Sequence, residues 1–212
     1  MIGKINTDKN QVLVPEHLKN YEKKALELGA SRAAVILAEN IPIDERVTLK
    51  CQIPRCFGYG ASAHCPPNTI KPAELRERLK QYKWAVFFSL EVPPEVIVRN
   101  KETITERIAA YLKVFKIVSE LEAAAFYDGH YMAFGLAAGS CRSSFCAKED
   151  TCVALEGKKC RFSLRARPSM EATGIDVFNL MALLDWNIYP IGSGAKQGEV
   201  AAGNLTGIVV VQ

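Results

Sequence analysis

Seven cysteines carry the chemistry legible in this chain: Cys51, Cys56, Cys65, Cys141, Cys146, Cys152 and Cys160. They form two groups, C-x4-C-x8-C and C-x4-C-x5-C-x7-C, and none lies outside them. An odd total in a chain of 212 residues with no secretory pattern argues against a disulfide scaffold. Clustered thiols then point to metal binding or redox chemistry. Structural zinc takes four thiolate or imidazole ligands, usually with one pair at C-x2-4-C. The second group meets that range only at its wide end, no C-x-x-C knuckle occurs, and the first group offers three thiols. His64 adjoins Cys65, and neighbours on an extended chain face opposite ways, so it is a poor fourth ligand.

Iron–sulfur clusters accept wider and more varied spacing. The spacing favours two of them, one 4Fe–4S cluster on Cys141, Cys146, Cys152 and Cys160 and a second on Cys51, Cys56 and Cys65, with zinc as the alternative cofactor. A cluster on three thiolates leaves one iron without protein sulfur, free to act as a Lewis acid in the manner of an open zinc position. The plainer alternative is a fourth ligand from a remote residue or a second chain. The C-x3-C-x2-C spacing of radical-SAM enzymes is absent.

Charge supports an anionic centre. Between Cys141 and Pro168 stand seven basic residues against three acidic ones, which accounts for the whole net charge of +4. Arg165 and Arg167 follow Cys160 closely and are candidate cofactor-binding residues that balance cluster charge. Within the first loop, His64, Arg55 and Tyr59 are candidates to meet a substrate or an open iron. Glu171 and Asp176 read as helix-start residues, His130 as a helix-terminus histidine and His17 as solvated. Residues 192–198 (GSGAKQG) lack the full phosphate-loop pattern and read as a turn, although Lys196 and the glycines suit an anion. No dinucleotide fingerprint and no nucleophile elbow occur.

The elements that must position these residues alternate. Apolar spacing predicts helices over 15–28, 72–82 and about 102–126, the last with Ile104, Ile108, Tyr111, Leu112, Phe115, Val118, Leu121 and Ala125 as its stripe. A helical stretch over 168–184 is interrupted at Thr173-Gly174 and restarted by Asp176 as N-cap. Strands are expected over 33–38, 46–53, 84–92, 131–137, 185–189 and 205–211. The strand over 46–53 would deliver Cys51 to its loop, and that over 131–137 would feed Gly139-Ser140-Cys141. The expected fold is α/β: a single domain over 1–212, a mixed sheet with flanking helices, and two long cysteine-bearing loops at strand ends. No apolar run reaches 18 residues, so no membrane span is expected. With no signal-peptide pattern at the start, the expected location is cytoplasmic.

The run L-K-C-x4-C-x-G-Y-G-x4-C-P-P-N-T, then G-x-C-x4-C-x5-C-x4-G-x2-C, then R-P-S-M-E-A-x-G-I-D-V-F, resembles the predicted metal-binding proteins of anaerobic bacteria and archaea. That family is catalogued as a domain of unknown function. The resemblance covers about residues 49–211 and implies a metal or iron–sulfur site at all seven cysteines, but no particular reaction. The leading functional expectation is redox or Lewis-acid chemistry on a small molecule, as an oxidoreductase or lyase. The alternatives are an electron-transfer protein that works with a redox partner, and a zinc-stabilised binding module. Nucleic acid is disfavoured as a partner, because the basic residues interleave with ligands and lack an aromatic stacking pattern.

Overall fold

The computed structural model describes residues 14–98, 101–192 and 198–212. Its elements run α1 (Glu16–Glu27), β1 (Arg32–Leu37), α2 (Glu45–Gln52), α3 (Pro72–Leu79), β2 (Trp84–Val92), α4 (Pro94–Ile97), α5 (Ile104–Tyr127), β3 (Phe134–Leu136), α6 (Cys141–Phe145), α7 (Val177–Leu183) and β4 (Gly203–Val211). Short 3-10 turns span Val153–Glu156 and Glu171–Thr173.

The strands form one sheet in the order β1-β2-β4-β3. Every ladder is antiparallel, where a mixed sheet is expected from the alternation of helices and strands. The parallel pairing among the described residues is the isolated bridge Ala137–Ser169. Strand alternation sends side chains to two covered faces. Trp84, Val86, Phe88 and Leu90 of β2 join Leu205, Val209 and Val211 of β4 against α1 and α5. Ala85, Phe87, Ile208 and Val210 face the other way, against Leu75 and Leu79 of α3 and Val177, Leu180 and Met181 of α7. The central strands are therefore apolar on both sides, and β2 is buried over residues 84–90. None of the described helices is long and apolar enough to cross a membrane.

Two expected strands are not formed. Residues 46–53 belong to α2, a helix capped by Asp44, whose carboxylate accepts from the Arg46 N–H. The alternation of Val47, Leu49 and Cys51 imitates a strand, but no residue of this helix is buried, so burial does not enforce a period of two. Residues 185–189 are irregular. β4 is already paired on both edges, by β2 and β3, and Trp186 stacks on Phe87 instead of joining the sheet. The expected strand over 131–137 shortens to Phe134–Leu136, the three residues that find partners on β4. Of the turn expected over 192–198, residues 193–197 lie outside the described residues, Lys196 among them.

Along the long helix α5, Phe115, Val118, Leu121 and Ala125 of the predicted stripe are buried, joined by Val114 and Ile117. Ile104 at its start is exposed.

Candidate metal centre

The first cysteine group leaves the end of a helix rather than a strand. Cys51 sits in the last turn of α2, and the Cys56 N–H reaches back to the Cys51 carbonyl at 2.9 Å. A series of tight turns follows, closed by Tyr59 N–H to Cys56 O and by Gly60 N–H to Pro66 O at 2.7 Å. Gly58 lies at the centre of the loop. A β-carbon there would stand 3.3 Å from Cys65 Sγ, 3.8 Å from Ser140 Oγ and 3.9 Å from Cys56 Sγ. Its backbone conformation is ordinary, so what glycine provides here is space: a side chain would crowd Cys65 Sγ.

The second group does follow a strand. β3 leads through Gly139 and Ser140 to Cys141, the first residue of α6. Cys141, Cys146, Cys152 and Cys160 line one small cavity, together with Phe145, Phe162, Ala166, Arg142 and Ser62-Ala63-His64. Its aromatic wall is continuous with the core: Phe145 packs 4.9 Å from Phe115 of α5 and stacks on Phe162 at 5.0 Å. The loop is tied down by charge-assisted bonds. Arg142 donates to the carbonyls of Glu149 and Asp150 at 2.9 and 2.8 Å, and Arg161 pairs with Glu149 at 3.1 Å. Part of the local positive charge thus holds the cage in shape.

The two groups meet through a crossed pair of contacts. Cys65 Sγ lies 3.7 Å from Ser140 Oγ, and the Cys141 thiol donates to Ser62 Oγ at 3.8 Å. Each serine belongs to one loop and touches the cysteine of the other. Ser62, Cys65 and Cys141 are all buried.

Burial governs the thiols. It pushes Cys141 up to about 12, and the Ser62 hydroxyl only partly offsets this. Cys51 and Cys146 are also raised, first by burial and then by the charges of neighbouring cysteines: Cys56 and Cys65 for Cys51, Cys160 for Cys146. A protein free of metal therefore holds these groups as neutral thiols, and a cation would supply what their ionised forms lack.

The other predicted residues fall in different places. His64 lines the four-cysteine cavity, and burial with the Arg167 charge lowers its pKa. Arg55 is exposed, with its guanidinium 5.4 Å from the Tyr59 ring centre, so the two form the outer surface of the first loop. Arg165 lies 5.5 Å from Phe145 and 5.8 Å from Phe162, on the outside of the aromatic wall. Arg167 donates to both carboxylate oxygens of Glu122 on α5, at 2.9 and 2.6 Å. Neither arginine is among the residues lining the cavity. His130 stacks on His17 at 5.6 Å. Asp176 caps α7 as expected, accepting from Asn179 N–H. Glu171 opens the 3-10 turn Glu171–Thr173, a helix start as expected, and burial raises its carboxyl.

The donor set is seven thiols, the chemistry of a metal-binding centre. Among the described residues, no three His, Cys, Asp or Glu side chains converge closely enough to hold a single metal ion. The cysteines instead surround spaces, one lined by four thiols and one beside Gly58.

Residues 10–209 match the model of a family described as predicted metal-binding protein (DUF2284). The match spans most of the chain, and the chain belongs to this family. No curated protein and no solved structure matches it.

Proposed function

We propose that this member of a metal-binding family is an iron–sulfur protein. Cys141, Cys146, Cys152 and Cys160 would hold one 4Fe–4S cluster, and Cys51, Cys56 and Cys65 a second. The observation that carries this reading is the placement of all four second-group cysteines around one cavity. Such clusters supply electron transfer at a potential set by charge and hydrogen bonding, and Lewis acidity at any iron that lacks a thiolate.

The chain's own residues divide the remaining work. Phe145, Phe162 and Ala166 exclude water from the four-cysteine cavity, and Arg142 keeps its loop closed. Gly58 keeps the space between Cys56 and Cys65 free. Ser62 and Ser140 bring the groups into contact, which favours electron exchange between them. The first loop also presents Leu49, Ile53 and Phe57 to solvent, 48, 74 and 58% exposed. That rim suits a small-molecule substrate or a redox partner at the three-cysteine side.

Iron, zinc and acid-labile sulfide content of protein purified without oxygen tests the reading, together with EPR before and after reduction. About eight irons and eight sulfides per chain are expected for two 4Fe–4S clusters. Zinc without sulfide would overturn it.

A further inference from the structure

We infer that the groove between the outer face of α5 and residues 164–167 docks an acidic one-electron carrier protein, which exchanges electrons with the four-cysteine centre through the wall at Phe145. This rests on the iron–sulfur reading above and gives its redox partner a surface and a charge.

The buried stripe of α5 leaves an opposite stripe facing out. Leu112, Lys116, Glu120, Ala123 and Tyr127 recur every three to four residues and form one wall of a groove of about 840 Å3. Leu164, Arg165 and Arg167 form the other wall. That second wall is fixed before anything binds. The Arg165 and Ala166 N–H groups close a turn on Phe162 O at 2.9 and 2.7 Å, and Arg167 pins it to Glu122 of α5.

Apolar side chains stand open in this groove. Phe126, Tyr127 and Leu164 are 55, 84 and 84% exposed. Exposed apolar residues scattered singly are ordinary, whereas three in one groove with a charged rim mark a contact surface. Aromatic residues and arginine are also the types that protein interfaces favour. Charge selects the partner. Glu122 is taken up by Arg167, so Lys113, Lys116 and Arg165 face one remaining carboxylate in the groove, Glu120. Among the described residues none of these three cations is in an ion pair. An acidic surface complements this rim, and a basic one is repelled.

The groove also touches the metal site. Phe145 belongs to the walls of both the groove and the four-cysteine cavity, and Arg165 stands 5.5 Å from its ring on the groove side. Electrons, unlike a substrate, need no opening, so the centre stays enclosed while it exchanges them. The reduced carrier gives up one electron and is oxidised, the four-cysteine centre is reduced by one, and no bond forms or breaks. The three-cysteine rim is left to a small molecule.

The test measures binding of a two-cluster bacterial ferredoxin, an acidic carrier, to the anaerobically reconstituted full-length protein by calorimetry, and electron transfer by stopped flow. Wild type is compared with Lys116→Glu, Leu164→Asp and Lys71→Glu. The last makes the same charge change at the start of α3, on the other side of the sheet. Binding should weaken about tenfold in each groove variant, and about tenfold in wild type between roughly 50 and 300 mM salt, with transfer slowed in step. Lys71→Glu should bind like wild type, and both cluster EPR signals should persist in every variant, reporting an intact fold. Wild-type binding in both groove variants, equal weakening in Lys71→Glu, or no ferredoxin binding at all would overturn the docking surface and leave the clusters in place. Self-association that Leu164→Asp abolishes, or a preference for a single-stranded oligonucleotide over ferredoxin, would overturn the partner. Absence of any cluster EPR signal in the wild type would instead overturn the iron–sulfur reading, and the redox role of the groove with it.

Discussion

The four-cysteine and three-cysteine regions are built on opposite plans. The former comes from one contiguous stretch, Cys141 to Cys160, wrapped against the main core through Phe145, Phe162 and Ala166. The latter is built on a polar helix with no buried residue and a turn-rich loop. The first region shares its walls with the fold, so metal bound there would be coupled to stability. The second is docked onto the fold, so metal bound there would be lost without unfolding it. An enclosed centre suits electron storage or structural support, and a rimmed one suits exchange with something outside.

Removal of one thiol from each region should break or confirm this contrast most sharply. Cys160→Ser takes a ligand from the core-linked cage. Structural zinc contributes about 10–16 kcal/mol to the folding of zinc-finger peptides, and losing about 4 kcal/mol of a comparable term lowers Tm by roughly 10 °C at 2–4 °C per kcal/mol. Calorimetry of the reconstituted protein should show a drop of that size. Cys51→Ser should lower Tm by about 3 °C or less while removing the iron of its own centre. Equal drops in the two variants would mean that both regions are structural.

The next effect in size is steric. Gly58→Val puts carbon where Cys56, Cys65 and Ser140 converge, the nearest sulfur standing 3.3 Å from the first added atom. Iron at the three-cysteine site should fall at least several-fold, with the four-cysteine EPR signal retained. Gly58→Ala should give a smaller loss in the same direction. Full iron occupancy in the valine variant would show that the metal does not occupy the space between these sulfurs.

The sequence exposes the first of these plans better than the second. Contiguous cysteines with aromatic and basic neighbours declare a cage, and β2, α1, α5 and β4 declare themselves through apolar period and length. α2 is legible only through its ends: Asp44 at the cap, Glu45 in the first turn and Lys50 in the last. Its apolar residues are too few to set a period. The docking of residues 174–176 onto Pro42 and Asp44 is not legible at all, because it joins segments more than a hundred positions apart. The crossed serine contacts likewise join residues 75 and 79 positions apart, and no local pattern marks them.

Protonation sharpens the contrast in a smaller way. In the metal-free protein, burial raises Cys141 to about 12, above an unfolded thiol near 8.5. A thiol raised on folding favours the folded state below the unfolded pKa, and that contribution is lost as pH climbs through the folded value. Metal-free protein should therefore lose stability between about pH 9 and pH 12, as read by urea unfolding at a series of pH values. The loaded protein should not, because its thiols are already deprotonated onto metal. Uptake itself should improve by up to tenfold per pH unit for each thiol that must release a proton. Alkylation of the metal-free native protein at pH 8 should leave Cys141 among the last thiols labelled. Rapid labelling of Cys141 would show that the cage opens freely without metal.

The smallest effect probes the seam between the regions. Thiol–hydroxyl contacts are weak, and each is worth about 0.5–1 kcal/mol, so Ser62→Ala and Ser140→Ala should each shift Tm by about 1–4 °C. Their spectroscopic consequences should cross over. Ser62 belongs to the three-cysteine loop but accepts from Cys141, so Ser62→Ala should disturb the four-cysteine signal more. Ser140 precedes Cys141 but touches Cys65, so Ser140→Ala should disturb the three-cysteine signal more. If each serine instead perturbs only the centre of its own loop, the contacts transmit nothing between them. If the crossed pattern holds and the double variant departs from additivity by about 0.5 kcal/mol or more, the two regions form one coupled unit despite their different construction.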